Sequence, residues 1–157
     1  MAKFIIIRGS QSSGKTTTAG LVYQRLLGLC DIKHKFNDAV AECDCLGYPQ
    51  NMATIDFTAL LTYKGKTIGI ISDGDVASEV RDKIKIFIKI NVDIIICCAR
   101  SRNKSGSTYR MIIDEFDGKN SIELEAWATY EDDEKFKFSS KKEIVTKVVA
   151  KAVQLLE

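Results

Sequence analysis

Phe4-Ile5-Ile6-Ile7-Arg8-Gly9-Ser10-Gln11-Ser12-Ser13-Gly14-Lys15-Thr16 is the stretch that decides how this chain is read. Phe4 to Ile7 is wholly apolar and bounded by polar residues, which suits a central strand buried on both faces of a parallel sheet. From Lys15 to Leu27 the pattern turns helical: Leu21, Val22 and Leu26 share a face, and Gly28 is placed to stop the helix in a left-handed cap. Between strand and helix, residues 9–16 fit G-x-x-x-x-G-K-[ST]. Gly9 and Gly14 let the backbone curl so that successive N–H groups point inward, where they can hold phosphate oxygens. A helix starting near Lys15 adds the positive end of its dipole. Lys15 brings a mobile cation to β- and γ-phosphates, and the Thr16 hydroxyl is a magnesium ligand. The plain alternative is a Gly/Ser-rich turn that holds nothing; the strand before it and the helix after it are the context that favours the ligand.

Working outward, Phe57 to Tyr63 and Thr67 to Ile71 are strand-like runs joined by Lys64-Gly65-Lys66, an antiparallel hairpin that ends at Ser72-Asp73-Gly74-Asp75. Val76, Val80, Ile84, Phe87 and Ile88 predict a helix over 76–90, and Val92 to Ala99 a second buried strand. Tyr109, Ile112, Ile113 and Phe116 mark a short helix ending at Asp117-Gly118, and 122–130 alternates as a strand. Residues 131–139 read as a charged loop carrying Phe136 and Phe138. Ser140 and Glu143 form an S-x-x-E capping box opening a last helix, with Ile144, Val148, Ala152 and Leu155 as its buried stripe. Residues 31–53 do not resolve into elements. Strands alternating with helices predict one three-layer α/β domain over 1–157, with a mostly parallel sheet of about five strands and an antiparallel hairpin at one side.

Residues 4–27 resemble the Walker A unit of P-loop nucleoside-triphosphate-binding proteins. The resemblance is specific for that segment and only topological elsewhere, and it does not identify a branch of the superfamily. It implies binding of ATP (or another NTP) and Mg2+, with Gly9, Ser12, Ser13, Gly14, Lys15, Thr16 and Thr17 as contacts. Such proteins also place a carboxylate at the end of a neighbouring strand. Asp73 or Asp75 fills that place, one of them facing the phosphates as metal ligand or base; the alternative is a turn in which Asp75 caps the next helix. Asp93 is a weaker candidate, since it precedes its apolar run. Arg100, directly after the VDIIICCA run, is expected to steady charge during phosphoryl transfer, with Arg102 and Arg110 as a phosphate clamp; the alternative is a solvated basic loop.

Other chemistries are poorly supplied. Cys43, Cys45 and His34 give one C-x-C and no second ligand pair, so buried or inert thiols outweigh a metal site. Cys97 and Cys98 are adjacent in a strand and must face opposite ways. No G-x-S-x-G nucleophile elbow occurs. The hairpin leading into Asp73-Gly74 resembles that of small GTPases, but D-x-x-G spacing is absent and Asn103-Lys104-Ser105-Gly106 lacks the Asp of N-K-x-D, so adenine is expected over guanine. The 157 residues carry 23 Lys plus Arg against 21 Asp plus Glu, a net charge of +2, which argues against dedicated nucleic-acid binding. With no signal-like leader, no membrane-length apolar run and an odd count of five cysteines, a reduced cytoplasmic protein is expected. The expected activity is a P-loop kinase passing the γ-phosphate to a small molecule or nucleotide. The competing readings are an NTPase or nucleotide-dependent switch acting on a protein partner, and a nucleotide-binding module without turnover.

Overall fold

The computed structural model describes residues 1–9, 15–29, 32–37, 41–42, 57–100, 103–128 and 134–157, with the backbone alone over 32–37, 41–42 and 134–141. It is an α/β fold built on one sheet, ordered β3-β2-β4-β5-β6-β1-β7. The strands are β1 (Lys3–Gly9), β2 (Ile32–Asn37), β3 (Ala41–Glu42), β4 (Thr58–Tyr63), β5 (Lys66–Ile71), β6 (Ile94–Arg100) and β7 (Ser121–Trp127). The helices are α1 (Lys15–Leu27), α2 (Ala77–Lys89), α3 (Thr108–Phe116) and α4 (Glu134–Leu156).

β5, β6, β1 and β7 run parallel; β4, β2 and β3 extend the sheet with antiparallel pairings. The sheet is therefore wider than the five strands expected, because β2 and β3 fall in the segment whose sequence carries no clear period. The hairpin is as expected: Lys64 (φ 48°) and Gly65 (φ 82°) turn it in two residues of left-handed conformation, which matches the twist of the paired strands.

Strand alternation sends the core to two faces. Ile5, Ile7, Ile94, Ile96 and Cys98 pack under α1 and α4, with Ala19, Val22, Tyr23, Leu26, Val148 and Ala152. Phe4, Ile6, Ile95, Cys97 and Ala99 pack under α2 and α3, with Val80, Ile84, Phe87 and Ile112. Phe87 lies so close to β5 that a Cβ on Gly69 would stand 2.6 Å from its ring. Cys97 and Cys98 are both buried and free, one in each core, and burial pushes the Cys97 thiol up to about 12. Arg25 Nη1 donates to Thr146 Oγ1 across α1 and α4 (2.9 Å), and Arg81 Nε pairs with Glu115 across α2 and α3 (2.7 Å).

Three boundary expectations are corrected. α4 starts at Glu134, so 134–139 is helix and Ser140 lies inside it, where it cannot cap. The S-x-x-E pattern fits a helix interior equally well, and no Gly or Pro interrupts 134–143 to force a start there. Gly28 takes no left-handed φ; α1 closes instead through a Leu29 N–H to Leu26 carbonyl bond of 3.0 Å. Val76 is the residue before α2, 48% exposed, and stands outside the buried stripe of Val80, Ile84 and Phe87. Among the described residues, no helix is long and apolar enough to cross a membrane.

Candidate functional site

Parallel strands place their following loops along one edge, so the carboxyl ends of β1, β5, β6 and β7 share an edge of the sheet. Gly9, the last residue of β1, is paired in register with Arg100, the last residue of β6. The start of the 9–16 pattern and the first basic residue after VDIIICCA are thus side by side, although 91 positions apart in sequence by subtraction of their numbers. α1 begins at Lys15 as expected, and the Cys98 thiol bonds the Lys15 carbonyl at 3.7 Å, seating the first turn of α1 on β6. Thr16 and Thr17 occupy that turn, half-buried. Ser12, Ser13, Gly14 and the rest of 10–14 lie outside the described residues, as do Arg102 and the side chains of His34, Cys43 and Cys45.

Lys15 is buried. Desolvation is the main reason its ammonium is held below the usual lysine range; the nearby Asp75 carboxylate and the Cys98 thiol oppose that, and Arg100 adds to it. Lys15 therefore lies within the fields of Asp75 and Arg100, residues that the sequence names together with Asp73 as the alternative carboxylate. Asp75 accepts from Arg100 Nε at 3.1 Å.

The two candidate carboxylates part company at Gly74. Asp73 turns toward α2 and accepts both of its bonds from Lys83 Nζ, at 2.8 and 2.9 Å, with both side chains largely buried. Acting as a metal ligand would require that pair to open. Asp75 stays on the β6 side. Gly74 makes this possible: a Cβ there would lie 2.6 Å from the carbonyl carbon of Cys98 and nearer still to its oxygen. Only glycine lets the chain cross the end of β6 this closely. Two further bonds fix the crossing. The Ser72 hydroxyl accepts from the Phe57 N–H at 2.6 Å, and the buried Thr108 hydroxyl donates to the Gly74 carbonyl at 2.7 Å. Asp75 does not cap α2; the residue before that helix is Val76, whose side chain caps nothing.

A cavity of about 230 Å3 opens between Asp75, Arg100 and the 104–108 segment. Gly106 (φ 88°) turns that segment into α3, which Ser107 caps by accepting from the Arg110 N–H. Arg110 does not reach this cavity as a clamp. Its guanidinium donates to Asp114 of its own helix and, at 3.3 Å, to Asn103 in the segment before it. Asp93 lies at the opposite, amino-terminal edge, where it accepts from the Thr67 N–H at 2.8 Å.

Sequence reasoning missed a second cluster at the same edge. Arg8, paired in register with Trp127 of β7, lies buried with its guanidinium 3.5 Å from the Tyr109 ring centre and 4.3 Å from that of Trp127. Arg8 Nη1 also pairs with Glu125 at 3.3 Å. Burial, and then a hydrogen bond with Glu125, raise the Tyr109 phenol above its ordinary pKa. The one signal for this stack was an arginine inside the buried strand run, directly before Gly9. Among the described residues, no group of three or more His, Cys, Asp or Glu side chains could hold a metal ion. Comparison with protein-family models, with curated proteins and with solved structures finds no match to this chain.

Proposed function

We propose that the chain is a P-loop protein that binds ATP with magnesium and passes the γ-phosphoryl group to a small acceptor in the cytoplasm. The observation that carries this reading is the meeting of Lys15, Asp75 and Arg100 beside the end of β1, with a cavity opening on Asp75 and Arg100. A buried lysine at a helix start, at the end of the G-x-x-x-x-G-K-[ST] pattern, suits triphosphate.

Magnesium fits this donor set because it commonly keeps several waters and binds through few protein oxygens plus the phosphates; the Thr16 hydroxyl would hold it, and it would neutralise charge between the β- and γ-phosphates. Lys15 and the N–H groups of 9–16 orient the phosphates. Arg100 faces charge that grows on the transferring group. Asp75, held by Arg100 Nε at 3.1 Å, takes the acceptor hydroxyl proton as the acceptor oxygen bonds to the γ-phosphorus. The bond from that phosphorus to the bridging oxygen breaks, and ADP leaves with the electron pair. Asp73, held by Lys83, positions the 72–76 crossing.

The test is incubation with γ-labelled ATP and magnesium, with and without a panel of small hydroxyl compounds and nucleosides. Label on an acceptor, with Lys15→Met lowering nucleotide affinity about tenfold or more, is the expected result. Release of free phosphate alone would turn the assignment to an NTPase, and absence of ATP binding by calorimetry would overturn it.

A further inference from the structure

The cavity at Asp75, Arg100 and 104–108 carries donors beyond those that the phosphotransfer reading gives to the nucleotide. Arg100 spends Nε on Asp75, and its two terminal nitrogens donate to no group among the described residues. Lys104 is exposed at the rim, and its ammonium likewise meets no acceptor among the described residues. Arg110, two turns of chain away, is fully engaged by contrast. The Ser107 oxygen already accepts from the Lys104 and Arg110 N–H groups, at 3.3 and 3.1 Å, so its own hydrogen remains to be donated. The Thr108 hydroxyl is spent on Gly74. Among the described residues, the lining side chains thus carry one negative charge, Asp75, against two positive ones, Arg100 and Lys104.

We propose that this cavity is an anion subsite separate from the 9–16 loop, and that it takes the phosphate end of a small phosphomonoester acceptor. Donors converge from a guanidinium, an ammonium and a hydroxyl, which suits the three free oxygens of a phosphomonoester better than the two of a planar carboxylate. Size sets the rest of the class. Sites for drug-sized ligands run roughly 300–1,000 Å3, and about 230 Å3 admits a phosphate with a few carbons but not a nucleoside as well. Asp75 lies at the same wall, where a hydroxyl of such a compound would meet both the carboxylate and the donor phosphate. The inference rests on the phosphotransfer reading only for where that donor lies.

Equilibrium dialysis with labelled orthophosphate decides it, run with the 9–16 loop filled by a non-hydrolysable ATP analogue and magnesium. Orthophosphate is expected to bind once per chain with the loop filled, and Arg100→Gln and Lys104→Gln each to weaken it about tenfold. Lys15→Met should weaken binding of the analogue about tenfold or more and leave orthophosphate in place. Adenosine monophosphate should compete poorly, and acetate more poorly than orthophosphate. Loss of orthophosphate on filling the loop would overturn the proposal, as would indifference to both cavity variants or acetate binding as tight as phosphate. Strong competition by the nucleotide would overturn the size argument. If the analogue itself fails to bind, the nucleotide reading falls alone, and orthophosphate titration of the same two variants still decides the cavity. Circular dichroism of each variant excludes unfolding as the cause.

Discussion

Two ion pairs stand on either side of Gly74, and they differ in kind. Asp73–Lys83 is a largely buried pair, its side chains 16% and 12% exposed, linking the end of β5 to α2. Asp75–Arg100 is open, at 53% and 28%, and borders the cavity shared with 104–108. Aspartates two residues apart thus take opposite tasks: one anchors the crossing, the other faces the carboxyl edge where ligands of α/β sheets bind. The difference comes from direction, set where Gly74 crosses the end of β6, and not from residue type.

The largest expected effect comes from removing the crossing itself. Gly74→Ala puts a methyl group against the Cys98 carbonyl, which cannot yield without moving β6. We expect a loss of about 3 kcal/mol or more, a fall of roughly 6–12 °C in Tm by calorimetry. An unchanged Tm would mean that the chain does not pass β6 as described.

Next comes the contrast between the pairs. Lys83→Met leaves Asp73 largely buried without its partner and should cost about 2 kcal/mol in urea unfolding. Arg100→Gln should cost less than about 1 kcal/mol, because exposed pairs contribute little, while weakening phosphate binding and transfer. Equal destabilisation by both variants would erase the distinction.

Lys15 gives a smaller effect of opposite sign. Its folded pKa is below the ordinary 10.5, so between the two values the unfolded chain binds more protons and stability rises with pH. Below both values the burial cost is constant. Lys15→Met removes that cost: in the absence of nucleotide, Tm at pH 7 should rise by about 1–3 °C and the alkaline increase should vanish. A fall in Tm would show that the ammonium is a net stabiliser of the fold.

The smallest effect is expected at Arg110. Pairing with Arg110 lowers the Asp114 carboxyl, so its contribution is present above the unfolded value of 3.8 and lost as pH falls below it. Both groups are solvent-exposed, and Asp114→Asn should leave Tm within scatter and transfer unchanged. A drop in transfer would bring Arg110 back as part of the clamp.

Legibility followed local pattern. The apolar runs at 4–7 and 94–99 gave β1 and β6, and the i, i+3, i+4 spacings at 80–87 and 109–116 gave α2 and α3, because burial on one face imposes those periods directly. The antiparallel extension at β2 and β3 stayed hidden: Ile32-Lys33-His34-Lys35-Phe36-Asn37 has little apolar content, and its strand state comes from pairing with β4. The candidate site was half legible. Lys15, Arg100 and Lys104 stand at or beside element boundaries that sequence can place, whereas Lys83 and the Arg8–Tyr109–Trp127 stack depend on contacts between distant segments.

The sequence by itself determined a strand over 4–7 and a helix carrying Lys15 and Thr16, since local sterics and periodicity suffice for them. Only the tertiary structure decided that Asp73 belongs to Lys83 and Asp75 to Arg100. It also decided that Arg110 is spent on its own helix while Arg100 lies beside Gly9. Those choices depend on strand order and on which backbone passes within reach of which, and neither is encoded in any one segment.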